Sequence, residues 1–349
     1  MKKRYVGVDL HRNCFTACYR DEEGKNEIKR WPIGGLKAFS KGLNAEDKVA
    51  VEATGNTRLF TEAIKDSGCG ITVVNPYQFE VISRSVKKTD EEDAKVLAEF
   101  LAKDMLPEVR MKEGIQARIA SLVQTRDKLV KLRTILKNKI NNLLAGRGIL
   151  LRKESLTSEK GLEAILEMDV DELEKVELEI LVNEIRHLNE SIKKVEAVLK
   201  EQGPKLPGWK NITSIKGIGD VSANIMLSAI GDVHDFADEG KLASYFGIVP
   251  RIRNSNETEH SGHITKKGNK LARTALVQCS LIAIKYSPYL NRYYRKIEAR
   301  RGTGKAIIAL ARKLLAIIYR TLKNDWVFKD FPNYILETGT VPSPNQARV

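Results

Sequence analysis

Tyr5-Val6-Gly7-Val8-Asp9 is an apolar run that ends on a carboxylate, and it decides the reading of the first hundred residues. Its composition and length fit a buried strand. Outward from it, Phe15 to Tyr19 and the stretch near Ile28 predict two further strands separated by polar turns, followed by a helix from about Leu36 to Leu43. Val49-Ala50-Val51-Glu52 predicts a strand, Leu59 to Ile64 a helix, Ile71 to Val74 a strand stopped by Pro76, and Asp90 to Leu101 a helix. Three strands followed by alternating strands and helices predict a mixed sheet covered by helices.

The chain has 349 residues, and at about 150 residues per domain this suggests two or three domains. Net charge is +14, and residues 241–320 alone hold 17 basic and 3 acidic residues, so the rest of the chain sums to zero. A regional surplus of this kind points to a domain that binds a polyanion. With 42% hydrophobic and 30% charged residues, wholesale disorder and low-complexity architecture are excluded. No apolar run approaches the roughly 20 residues of a membrane span. Met1-Lys2-Lys3-Arg4 leads straight into the first strand, without the apolar stretch of a signal peptide, so a cytoplasmic protein, nucleoid-associated when acting, is expected. Cys14, Cys18, Cys69 and Cys279 form neither a CxxC pair nor a Cys/His cluster, against structural zinc and a disulfide framework.

In the middle of the chain Leu122, Leu129, Leu136 and Leu143 recur every seven residues, and Leu178, Leu181, Ile185, Leu188, Ile192, Val195 and Leu199 alternate three and four apart. That spacing predicts two long helices with coiled-coil seams, broken at Gly146-Arg147-Gly148 and at the polar stretch from Arg152 to Lys160. An antiparallel hairpin follows, with an ordinary helical bundle as the alternative. The Glu-rich second helix favours a partner helix or subunit over nucleic acid, hence a homo-oligomer, dimer or tetramer.

A third unit begins after Gly203-Pro204. Ile215-Lys216-Gly217-Ile218-Gly219 has the form of the turn in a helix-hairpin-helix, where glycines permit tight backbone and the next helix presents amides to a phosphate. A plain helix-helix turn has the same form. Farther on, Tyr286, Tyr289, Tyr293 and Tyr294 are interleaved with Lys285, Arg292, Arg295 and Lys296, a pattern that suits stacking on unpaired bases and equally suits a helix that buries its tyrosines.

Asp9 ends the first strand, Glu52 ends a later strand of the same sheet, and Asp90 and Asp93 share one face at the start of a helix. Four carboxylates gathered in this way would suit Mg²⁺, with Mn²⁺ also possible, because hard cations take oxygen ligands. Two such ions about 4 Å apart would activate an attacking oxygen and stabilise a leaving one. Each acid alone also reads as a turn residue or a helix-start acid.

Gly7-Val8-Asp9-Leu10-His11, Val51-Glu52-Ala53-Thr54-Gly55 and Lys88-Thr89-Asp90-Glu91-Glu92-Asp93-Ala94 resemble the three acidic motifs of the DEDD transposases of the insertion-sequence 110 family, which includes the Piv-type DNA invertases. Gly247-Ile248-Val249-Pro250, then Gly262-His263-Ile264-Thr265-Lys266-Lys267-Gly268-Asn269 before an alanine- and leucine-rich helix, extend the resemblance over nearly the whole chain. It implies a multidomain protein: a ribonuclease H-like (RuvC-like) catalytic domain at 1–108, a coiled-coil connector at 109–204, a mostly helical C-terminal transposase domain at 205–335 and a tail at 336–349. It also implies recombination of double-stranded DNA, donor and target, guided by a structured noncoding bridge RNA.

The family uses a serine nucleophile between those two C-terminal strings. Register places it at Ser255 in Asn254-Ser255-Asn256-Glu257-Thr258, where Asn256 stands in place of the family's common glycine, and Ser261 is the alternative. Lys216, Arg251, Arg253, Lys266, Lys267 and Arg273 are the expected nucleic-acid contacts. His260 and His263 read as surface residues. The rival readings are a metal-dependent junction resolvase using activated water, an actin-like ATPase, which lacks its second phosphate loop here, and a non-catalytic nucleic-acid binder.

Overall fold

The computed structural model describes residues 3–76, 78–79, 89–255, 258–330 and 335–336, with the side chains of 153–154, 252–261, 328–330 and 335–336 outside that description. The chain divides into two compact units, Met1–Lys112 and Glu113–Val349.

The first unit is built on strands β1 (Tyr5–Leu10), β2 (Cys14–Arg20), β3 (Asn26–Pro32), β4 (Lys48–Glu52) and β5 (Gly70–Val74). They form one sheet in the order β3-β2-β1-β4-β5. β1 to β3 pair antiparallel, while β4 runs parallel to both β1 and β5, so the expected mixed sheet is present. Helices α1 (Leu36–Lys41), α2 (Thr57–Ile64) and α3 (Asp90–Ala102) cover it.

Alternation along the strands assigns each face its role. Val6, Val8 and Leu10 share a core with Phe15, Val49, Val51, Phe39 of α1 and Phe60 of α2. The Phe15 ring centre lies 5.0 Å from Phe39 and 5.5 Å from Phe60, both edge-on. Burying each of these rings contributes about 1.5–3 kcal/mol. On the opposite face, Cys18 packs with Ala94 and Ala98 of α3, and Ala50 with Leu97 and Leu101. β3 is an edge strand, with exposed Glu27, Lys29 and Arg30, charges that discourage pairing with another chain.

Gly7 explains how closely α3 lies on the sheet. A Cβ there would fall 2.1 Å from the Ala94 carbonyl oxygen and 2.4 Å from the Ala98 amide nitrogen, so the helix backbone rests directly on β1. Asp9, two residues on, shares that face of the strand, and Asp90 and Asp93 open the helix resting on it.

The second unit begins with two long helices, α4 (Gly114–Gly146) and α6 (Glu172–Gln202), with α5 (Glu159–Leu166) between them. Arg126 pairs with Glu196, Arg133 hydrogen-bonds Asn189 and Lys139 pairs with Glu177, so the long helices run antiparallel. On α6, Leu178, Ile185, Ile192 and Leu199 of the expected seam are buried. On α4 the heptad leucines are half-buried, and full burial falls on Ile119, Ala120, Val123, Ile140 and Leu144. The reason is that each end of α4 sits in its own core. Ile119 and Val123 join the core of the C-terminal helices, Ile140 and Leu144 join the hairpin core with Leu162 and Leu178, and the stretch between has no buried residue.

Beyond the hairpin follow α7 (Trp209–Thr213), α8 (Asp220–Ile230), α9 (Glu239–Tyr245), strands β6 (Pro250–Ser255) and β7 (Thr258–Ile264), then α10 (Lys270–Tyr286), α11 (Pro288–Arg301) and α12 (Thr303–Lys323). Short strands β8 (Phe328–Asp330) and β9 (Ile335–Leu336) pair with each other. Among the described residues, no helix is long and apolar enough to cross a membrane.

Candidate functional site

The acidic site is assembled from strand ends and a helix start. Parallel pairing of β1 with β4 sets Val8 opposite Val51. Asp9 and Glu52 are the next residues of β1 and β4 beyond that pair, so the register sets them at neighbouring strand ends. α3 contributes Asp90 and Asp93 from its first turn, capped by the Thr89 hydroxyl, which accepts from the Glu92 amide at 3.2 Å. Asp90 has 43% side-chain exposure, against 18% for Asp9.

His11 joins the two elements. Its Nε2 lies 3.0 Å from Asp9 Oδ2 and 3.2 Å from Asp90 Oδ1. The β1–β2 turn that carries it is held by its own amide donating to the Cys14 carbonyl at 2.9 Å, and by Asn56, whose side-chain amide donates to the carbonyls of His11 and Arg12. Burial lifts the Asp9 carboxyl above its ordinary pKa; His11 opposes this, and the charges of Asp90 and Asp93 add to it. For the imidazole the balance is reversed. Burial alone would lower its pKa, but Asp9 and Asp90 outweigh that and hold it above the usual histidine value.

Ligand atoms of Asp9, His11 and Asp90 lie within 4.8 Å of one another, a spacing that can hold a metal ion. A carboxylate whose pKa is raised by burial is short of positive charge, which a divalent cation would supply. Sequence reasoning singled out the acids and gave His11 no role. Its signal was the Asp9-x-His11 spacing, which keeps both side chains on one side of an extending strand.

In the second unit, Ser255 is the last residue of β6 and pairs with Thr258, while Ser261 of β7 pairs with Ile252. Their side chains, those of Arg253 and His260, and residues 256–257 lie outside the described residues, as does Lys88 of the third acidic motif.

Two loops interlock at the foot of this hairpin. A Cβ on Gly247, which has φ +67°, would meet the Lys267 carbonyl oxygen at 2.1 Å, and one on Gly268, φ +120°, would meet the Tyr245 carbonyl oxygen at 2.1 Å. The two glycine-containing strings therefore pack backbone against backbone. Lys266 adopts φ 54°, an uncommon left-handed conformation for a lysine, with its amide donating to the Gly247 carbonyl at 3.1 Å.

The expected nucleic-acid contacts divide. Lys216, Arg251, Lys266 and Lys267 are exposed. Arg273 is half-buried and its guanidinium donates to the Phe246 carbonyl at 2.9 Å, a structural contact. In the 215–219 turn, Gly217 packs so closely on α10 that a Cβ would lie 2.9 Å from the Ala283 nitrogen, whereas Gly219 faces open space. Of the four tyrosines, Tyr294 is buried and donates to Glu298 at 2.6 Å, Tyr289 and Tyr293 pack on the core beneath the Lys313 ammonium, and Tyr286 is half-exposed. The burial reading therefore holds for Tyr294, and a cation already covers Tyr289 and Tyr293.

Residues 6–148 match a DEDD transposase profile of the IS110 group, described as Transposase. Residues 209–295 match the Transposase IS116/IS110/IS902 family. The chain is 26% identical over 338 residues to the transposase for insertion sequence element IS1111A of Coxiella burnetii, covering 93% of this chain and 91% of that protein. It is 25% identical to the pilin gene-inverting protein of Moraxella bovis, over 94% of this chain and 98% of that one. A probable family 20 transposase of Pseudomonas aeruginosa is 23% identical, over 93% and 98%. With transposase domains of one family matched over residues 6–148 and 209–295, the chain belongs to the IS110/IS116 family of DEDD transposases.

Proposed function

We propose that this chain cuts and rejoins double-stranded DNA as the transposase of a mobile element, with Asp9, Glu52, Asp90 and Asp93 holding Mg²⁺ or Mn²⁺ and Ser255 as nucleophile. The observation that carries the reading is the convergence of Asp9, His11 and Asp90 at the end of β1, beside Glu52. A divalent cation bound there would stabilise negative charge developing on a phosphodiester. The chain's own residues do the rest: Gly7 lets α3 rest on β1, α3 delivers Asp90 and Asp93, and the Asn56 strut orients His11.

In this reading the Ser255 oxygen forms a bond to phosphorus as the bond to the leaving sugar oxygen breaks. The serine's proton is lost to solvent and the leaving oxygen takes one up. Ser261 is the alternative nucleophile. The family resemblance supports a ribonuclease H-like first domain at 1–108, a coiled-coil connector at 109–204, a transposase domain at 205–335 and a bridge RNA as guide. The antiparallel pair α4 and α6 supports assembly as a dimer or tetramer, and a DNA-acting enzyme fits the cytoplasm. The names of its relatives, two transposases and a gene-inverting protein, favour recombination over simple cleavage.

Trapping by denaturation during strand cleavage tests the nucleophile. A protein–DNA adduct mapping to the peptide with Ser255 is expected, and lost in Ser255→Ala. An adduct at Ser261 keeps the chemistry and moves the residue. Cleavage without any adduct would replace the serine by metal-activated water, as in a junction resolvase.

A further inference from the structure

Beside the foot of the β6–β7 hairpin, α11 and α12 enclose a cleft of about 1160 Å³. Its walls carry Lys266, Arg300, Arg301, Lys305, Arg312 and Lys313 over an apolar floor that includes Ile297 and Ile308. Glu239 is the single carboxylate lining it, and its charge is taken up by Arg320 at 3.0 Å. Among the described residues, no carboxylate pairs with Lys266, Arg301, Lys305 or Arg312. Six cations around one concavity repel one another, and low-dielectric walls concentrate their field. Lys305 and Arg312 are seven residues apart on α12, roughly 10 Å along the axis, a span of about three nucleotides of one strand. Lys266 reaches the cleft from the left-handed turn that the interlocked glycines impose.

The geometry points to this cleft as the seat of a nucleic-acid backbone, gripped through successive phosphates and without base reading, beside the hairpin that carries Ser255. The inference rests on the proposed action on nucleic acid and adds where a strand is held. Stacking of a base on the cleft's tyrosine is opposed, since the Lys313 ammonium stands 5.6 Å over the Tyr293 ring centre. A single nucleotide or a small acid would leave most of the six positive charges unmatched, and the cleft exceeds small-ligand sites of about 300–1,000 Å³.

The test is a salt titration of binding by the full chain to a labelled 30-base-pair duplex of arbitrary sequence, and to its single strand, in EDTA. Arg301→Ala, Lys305→Ala and Arg312→Ala are combined. Lys193→Ala, Lys194→Ala and Lys200→Ala, exposed on α6, remove the same charge elsewhere. The cleft triple is expected to bind at least about tenfold more weakly at moderate salt, with the log–log slope shallower by about two to three units, while the α6 triple stays near wild type. Unfolding curves confirm that both triples fold. Equal weakening by the two triples, wild-type binding by the cleft triple, or no binding by the wild type would overturn the proposal. Chelation makes the measurement blind to the acidic site, so failure of the metal or serine reading leaves its outcome unchanged.

Discussion

His11 Nε2 stands 3.0 Å from Asp9 Oδ2 and 3.2 Å from Asp90 Oδ1, joining the end of β1 to the first turn of α3. A protonated imidazole and a divalent cation compete for the same two carboxylates, because each neutralises the same charge. The His11 pKa is held above its ordinary value, so its ion pairing is fully present below about pH 6.5 and is lost as pH rises through the raised value. Apparent Mn²⁺ affinity should therefore rise between pH 5.5 and pH 8. His11→Ala should flatten that dependence. Calorimetric titrations at the two pH values check both, and a pH-independent wild-type affinity would separate His11 from the metal site.

The Asp9 pKa is raised, chiefly by burial, so its ionisation costs folding stability. Below its unfolded pKa the cost is absent, and it appears as pH rises through the folded value. Asp9→Asn should abolish recombination yet, in EDTA at neutral pH, melt no lower than wild type. At pH 3.5 the difference in melting temperature should shrink. A neutral-pH melting temperature clearly below wild type would show that the carboxylate is structural.

Gly7→Ala introduces a Cβ where the Ala94 carbonyl already lies. Both groups are backbone-anchored, so α3 must shift, at a cost of about 1–3 kcal/mol as for other overpacked sites. Urea unfolding of the first unit should show that loss. Mn²⁺ affinity should fall with it, since Asp90 and Asp93 move away from Asp9, while nucleic-acid binding in EDTA stays unchanged.

Gly247→Ala should do the reverse. The added methyl would overlap the Lys267 carbonyl, at a φ of +67° that alanine adopts poorly. The Lys266 turn would be displaced, so binding of a labelled duplex should weaken with Mn²⁺ affinity intact. Loss of both properties would point to global unfolding.

Much of the first unit was legible in the sequence because each strand carries its signal locally. Val6, Val8 and Leu10 alternate with Gly7 and Asp9, and the four carboxylates fall at strand ends or a helix start, where short-range rules place them. His11 was marked only by its spacing from Asp9, because its contact with Asp90 depends on α3 arriving across Gly7, where segments more than 80 residues apart meet. Burial on α4 shifted from the heptad leucines to their neighbours because two separate cores embed its ends, which no periodicity encodes. The cleft was partly written in the spacing of Lys305, Arg312 and Lys313 along one helix. Its other wall comes from the turn at Lys266, and only the fold brings the two together.

Mn²⁺ titration of the full chain, followed through the ion's electron paramagnetic resonance signal, bears on the acidic site without requiring DNA, RNA or turnover. Saturable binding by the wild type is expected, falling at least about tenfold in Asp9→Ala and in Asp93→Ala and unchanged in Ser255→Ala. Wild-type affinity retained in both aspartate variants would contradict the metal site on which the proposed strand cleavage depends.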